Sequence, residues 1–128
     1  MIKNIEFCAG EGRLRVNMLV TVTDEGIVAQ VFGGERPHVG ALALSIPRPG
    51  INNPEKISCS TTVVPLLGHK DDEVAKPVAE ELAKKYGCPV VVVAGVHVEN
   101  ASAEEIGELV DNCRGAVKQL IGGLDPLI

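Results

Sequence analysis

The chain has 128 residues, 45% hydrophobic and 23% charged, with a formal net charge of −5 and a pI near 5.1. That length can bury a core without metal or disulfide support. The acidic balance disfavours a phosphate-backbone partner, and with no Trp, one Tyr and two Phe there is little to stack nucleobases on.

Residues 2–8 read as a short first strand. In RLRVNMLVTVTD, Arg13 to Asp24, the residues Leu14, Val16, Met18, Val20 and Val22 alternate with mostly polar neighbours, the signature of a strand with one wet face. Asp24-Glu25-Gly26 supplies a turn, and Ile27 to Phe32 returns as the second arm of a hairpin.

GGERPHVG, residues 33–40, then packs an acid, an arginine, a histidine, a proline and three glycines into eight positions, more than a plain turn needs. Gly33 and Gly34 permit close approach to the backbone, and Pro37 biases Arg36 toward an extended conformation. A guanidinium held this way presents forked donors to a carboxylate or a phosphate. The alternative is a local Glu35–Arg36 or inter-subunit ion pair in a mobile loop, and the local sequence leaves both readings open.

Val39 to Ile46 alternates again, Leu42, Leu44 and Ile46 against the small Ala41, Ala43 and Ser45. A small-residue face predicts close approach by a helix, a subunit or a ligand. PRPGINNPE, residues 47–55, is expected as an exposed loop, and Ile57 to Val64 as a hydroxyl-rich strand.

Helical spacing begins at Asp71 and ends at Tyr86, before Gly87, with Ala75, Val78, Ala79 and Leu82 on one face. Pro77 predicts either a kink or a regular helix starting near Lys76. Val90 to Val93 has the length of a buried strand. Ser102 to Glu105 forms a capping box for a last helix, whose stripe runs through Ile106, Leu109, Val110, Cys113, Val117, Leu120 and Ile121 and closes at Gly122-Gly123. The whole, residues 1–128, is expected to be a single α+β domain: a largely antiparallel sheet of about six strands with two C-terminal amphipathic helices, in the order β-β-β-β-β-α-β-α.

No apolar run approaches the roughly 18 residues that span a bilayer, and MIKNIEF lacks the pattern of a signal peptide. The four cysteines, Cys8, Cys59, Cys88 and Cys113, form no CxxC pair and read as reduced thiols. A cytoplasmic location is the expectation.

Each of the three histidines, His38, His69 and His97, lies within two residues of a glycine. A three-histidine metal hydrolase is one reading, weakened by the absence of HxH or HxxxH spacing. In LLGHKDDE, Gly68, His69 and Lys70 precede a helix for which Asp71 is a candidate N-cap, so free N–H groups there suit an anion. Asp71, Asp72 and Glu73 already complement that dipole, so an ordinary capped helix explains the stretch better, without any ligand. Neither GxxxxGK[ST] nor GxGxxG is present, no serine sits in an elbow motif, and no cysteine neighbours a histidine; nothing in the residues argues for an enzyme.

Taken in order, GGERPHVG, the hydroxyl-rich strand, GHKDDEVAKPVAEELAKKYGCPVVVVAGVHVENAS and the terminal helix resemble the LpdD-like prenylated-flavin chaperone family, from about residue 13 to residue 121. The resemblance implies a non-catalytic, dimeric protein with a proteasome-assembly-chaperone-like fold. It also implies that prenylated FMN is bound and delivered from a flavin prenyltransferase to a UbiD-type (de)carboxylase. The motifs carry over onto Gly33, Gly34, Glu35, Arg36, Pro37, His38 and Gly40, and onto Gly68, His69, Lys70 and Asp71. On this reading the 68–71 backbone and Lys70 hold the phosphate, Arg36 and His38 close over the cofactor, and the Ala41, Ala43, Ser45 face receives the ring or a second subunit. A dimeric protein-interaction module without cofactor is the rival expectation.

Overall fold

Alternation builds the sheet. The computed structural model describes residues 1–66 and 71–124. Strands β1 (Lys3–Ala9), β2 (Val16–Thr23), β3 (Gly26–Gly34), β4 (Ala41–Pro49) and β5 (Ile57–Pro65) precede helix α1 (Asp72–Tyr86), strand β6 (Val90–His97) and helix α2 (Ala103–Leu124). The α+β class and the element order are those the sequence predicts. Arg13 and Leu14, expected at the start of a strand, belong to a short 3-10 turn, Gly12–Leu14.

The six strands lie in the order β1-β2-β3-β6-β4-β5. Every neighbouring pair is antiparallel except β3 with β6. Chain order alone would leave β3 beside β4; instead α1 carries the chain over the sheet and β6 slots between them. This central position suits an all-valine run, because both edges of β6 are paired and its side chains are flanked by those of β3 and β4 on either face. Val90 and Val92 are fully buried on the helix-covered face, and Val91 and Val93 half-buried on the other. The strand continues to His97, beyond the expected Val93, because Gly33 and Gly34 of β3 pair with Val96 and His97.

Val16, Met18, Val20, Val22, Ala29 and Val31 supply the core beneath the helices, meeting Leu82 of α1 and Leu120 of α2. Ala41, Ala43 and Ser45 are buried to 1% exposure or less, with α1 packed on β4. Their small size lets the helix approach closely, so neither a flavin ring nor a second subunit reaches that face. The opposite, larger side chains are the free ones: Leu42, Leu44 and Ile46 of β4, Val64 of β5 and Val28 of β3 stand exposed on the uncovered side of the sheet.

Three boundaries differ for tertiary reasons. β4 runs through Pro47 to Pro49 because β6 pairs with it only as far as Ser45, leaving an open side toward which a proline can turn its missing N–H. α1 starts at Asp72 and contains Pro77, so the later start near Lys76 does not occur. α2 does not stop at Gly122-Gly123: Leu124 is fully buried, and Gly123 lies so close to the Phe7 ring that a side chain there would collide with it. Burial of Leu124 outweighs the glycines' low helix propensity, which costs about 1 kcal/mol each.

Candidate functional site

The 33–40 segment is sewn onto the end of β6. Gly34 has φ +76°, donates its N–H to the Arg15 carbonyl at 3.0 Å, and sits where a Cβ would strike the backbone of His97. The next two amides, Glu35 and Arg36, both donate to the His97 carbonyl, at 2.8 and 3.3 Å. At the far end Gly40 donates to the Ala94 carbonyl at 2.9 Å. Between these anchors the chain crosses Gly95, whose absent side chain makes room for the His38 carbonyl.

His38 then points into the fold. Its Nε2 is hydrogen-bonded with Asp71 Oδ2 at 2.8 Å, and its Nδ1 lies 2.9 Å from the Arg36 carbonyl. Asp71 is 5% exposed, and its other oxygen accepts the Val96 N–H at 2.9 Å. It makes no side-chain capping bond; its carboxylate joins the 33–40 segment to β6, while its carbonyl receives Val74 and Ala75 N–H at the start of α1. Gly40 completes the fit, because a Cβ there would overlap the Asp71 carboxylate. Thus the two motifs singled out in the sequence meet, through His38 and Asp71. Gly68, His69 and Lys70 lie outside the described residues.

Arg36 and Glu35 face outward. Arg36 pairs with Glu99 at 2.6 Å, and the pair is largely exposed. Hydrogen bonds from Arg36, then from His97, hold the Glu99 carboxyl below its usual range. Glu35 accepts the Glu99 N–H at 3.1 Å and lies 3.4 Å from Arg13, which also pairs with Glu105 at 2.9 Å. The expected capping box is present, Glu105 N–H to Ser102 Oγ and Ser102 N–H to Glu105 Oε1, both 3.1 Å. That backbone bond from Ser102, with Arg13, lowers the Glu105 pKa. Glu99 and Arg13 were not singled out as partners of this loop, since 63 and 22 residues separate them from Arg36 and Glu35 and no spacing rule joins them.

Beside this cluster a groove of about 790 Å³ opens between α1 and α2. Asp71, Val96 and His97 border it where the loop and β6 end, and it continues between Pro77 and Val78 of α1 and Ile106, Leu109 and Val110 of α2. Ile106 and Val110, two positions of the apolar stripe, are 53% and 41% exposed and form a groove wall. Arg114 and Lys118 line the same groove, one turn apart on α2. Sequence reasoning missed both, although a stripe wider than one sheet contact requires was a signal. Cys113, at the groove floor, has its thiol pushed up to about 11 by burial and by the Asp71 carboxylate.

His38 and His97 lie edge to face with ring centroids 6.3 Å apart. Among the described residues no three His, Cys, Asp or Glu side chains gather as a metal-ligand set, and no helix is long and apolar enough to cross a membrane.

The family model for the prenylated flavin chaperone LpdD-like domain matches residues 10–125. The chain belongs to this family. A search of curated proteins gives no match. Among solved structures, the chain is similar to one described as a novel chaperone complex for yeast 20S proteasome assembly. The TM-score is 0.61 at 17% identity, covering 98% of this chain and 96% of that one. At that identity the likeness is one of fold.

Proposed function

We propose that the chain, residues 1–128 acting as one domain, is a non-catalytic cytoplasmic carrier of prenylated FMN that receives it from a flavin prenyltransferase and hands it to a UbiD-type (de)carboxylase. The observation that carries the reading is the family match over residues 10–125. The residues present suit such a ligand: an apolar-walled groove of cofactor size, bordered at one end by the knitted loop and lined by two cations. On this reading Gly33, Gly34, Glu35, Arg36, His38 and Asp71 would close one end of this site, and Gly68, His69 and Lys70 belong to it only as the sequence motif implies. His38 and Asp71 act by positioning, since their polar atoms already serve each other, the Arg36 carbonyl and Val96. Prenylated FMN supplies the chemistry of the decarboxylase; the carrier's part is to bind it, screen it from water and release it.

The exposed strip Leu42, Leu44, Ile46, Val64 and Val28 on the open side of the sheet supports a homodimer, since contiguous apolar surface on a small chain marks an interaction face. The same strip favours a second reading, a protein-interaction module that docks partners without carrying cofactor.

Co-expression with a flavin prenyltransferase, anaerobic purification and native mass spectrometry separate the two. The carrier reading expects prenylated FMN mass on the chain and activation of an apo-decarboxylase by the loaded protein. A dimer that binds the decarboxylase while holding no flavin would sink it in favour of the interaction module.

A further inference from the structure

Resting on the flavin-carrying reading, we infer that the cofactor lies lengthwise in the groove between α1 and α2, its ring system against the apolar walls and its phosphate on Arg114 and Lys118.

Charge decides the direction. Among the described residues, the end of the groove beside the loop offers no unengaged cation: Asp71 is bound by His38 and the Val96 N–H, and the exposed Glu73 carboxylate repels a phosphate. Arg36, the loop's cation, is engaged by Glu99 at 2.6 Å. Farther along, α2 presents Arg114 and Lys118 on successive turns, both exposed, against Glu81 across the groove. A phosphate monoester, close to doubly charged at neutral pH, takes one forked guanidinium and one ammonium well. The ring end then points toward Val96 and His97, beside the 33–40 segment.

Shape agrees. From Asp71 to Glu81 α1 advances about 15 Å and from Ile106 to Lys118 α2 advances about 18 Å, a slot for an elongated ligand. Val78 and Val117 at its floor are buried, whereas Ile106 and Val110 on the wall leave apolar surface open to water in the free protein. A flat aromatic ring bearing an added hydrocarbon ring covers such a wall, and the area removed from water drives its binding. Pro77 also lines the groove and cannot donate to the Glu73 carbonyl one turn earlier, so that oxygen is released from the helix ladder beside the slot.

The test uses the full chain co-expressed with the prenyltransferase and purified anaerobically, with flavin per chain read by absorbance and native mass spectrometry. Val110→Trp fills the slot, and Arg114→Ala with Lys118→Ala removes the anion site; all three positions are exposed, so the melting temperature should hold within about 2 °C. Flavin retention should fall about tenfold or more in each variant. In a parallel titration the double variant should weaken FMN about tenfold and leave riboflavin, which lacks the phosphate, within about twofold. Wild-type protein that retains flavin while both variants retain as much would overturn the groove placement and leave the carrier reading standing. Wild-type protein that retains none would overturn the carrier reading and the placement with it. Equal weakening of FMN and riboflavin by the double variant would overturn the phosphate assignment.

Discussion

Asp71 bears on the architecture of the site more than any other residue, and removing its carboxylate has a calculable effect. Asp71→Ala leaves the Val96 N–H without its 2.9 Å acceptor, and an unsatisfied buried donor costs about 1–3 kcal/mol. It also removes the 2.8 Å partner of His38, where side-chain exposures of 22% and 6% keep the charge-assisted bond from being dismissed as a surface pair. The two losses overlap, and the expected total is about 3 kcal/mol, or roughly 10 °C in melting temperature for a chain of this size. Asp71→Asn keeps an acceptor for Val96 and should cost about 1 kcal/mol. Gly40 supplies an internal check. Gly40→Ala drives a methyl into the Asp71 carboxylate, so it should destabilise by more than about 2 kcal/mol alone and far less in the Asp71→Ala background. Urea denaturation followed by circular dichroism measures all four variants. A loss below about 0.5 kcal/mol for Asp71→Ala, or additive costs for Gly40 and Asp71, would refute the claim that this carboxylate holds loop, strand and helix together.

Arg36→Ala should leave the melting temperature nearly unchanged, because the Arg36–Glu99 pair is largely exposed, while flavin retention falls if the loop closes over the cofactor; equal loss of both would mark Arg36 as structural. Gly95→Ala should yield insoluble or unfolded protein in a solubility assay, since the methyl meets backbone, the His38 carbonyl, and no side chain can move aside. At pH 8 a maleimide should label exposed Cys8 quickly and Cys113 only after unfolding, read by mass spectrometry, because burial and Asp71 keep the Cys113 thiol protonated to about 11. Ile46→Glu should convert a dimer to monomers in light scattering without lowering the melting temperature by more than a few degrees.

Strand periodicity carried most of the fold. Val16, Met18, Val20 and Val22 were legible because a two-residue period with one wet face has a single structural meaning, and Ser102 with Glu105 because a capping box is local. The strand order was not legible: nothing in VVVV states that β6 divides β3 from β4, since parallel pairing across a helix is a long-range choice. The ends of α2 and β4 escaped for the same reason. Leu124 and the open side of β4 past Ser45 exist only once the sheet is assembled, and they override glycine and proline signals that read correctly on their own. In the site, the meeting of the two motifs was expected, whereas the roles within them were not. Spacing distinguishes a carboxylate that caps its own helix from one reaching 33 residues back to a histidine only after both are placed.

The motif residues divide by depth, and the division assigns their roles. Gly34, Gly40, Gly95, His38 and Asp71 are consumed by one another: each absent side chain accommodates a named backbone or carboxylate atom, and each polar atom of the His38–Asp71 pair has a partner. Groups already satisfied gain little from a ligand and lose much by leaving their partners, so this layer is a clamp. Arg36, Glu35 and Glu99 lie above it in exposed, solvent-screened pairs that cost little to break, so binding of a cofactor readily exchanges them. A carrier must hold a cofactor and also give it up. On the carrier reading, a rigid clamp beneath an easily exchanged layer of ion pairs, next to a groove with apolar walls, meets both demands.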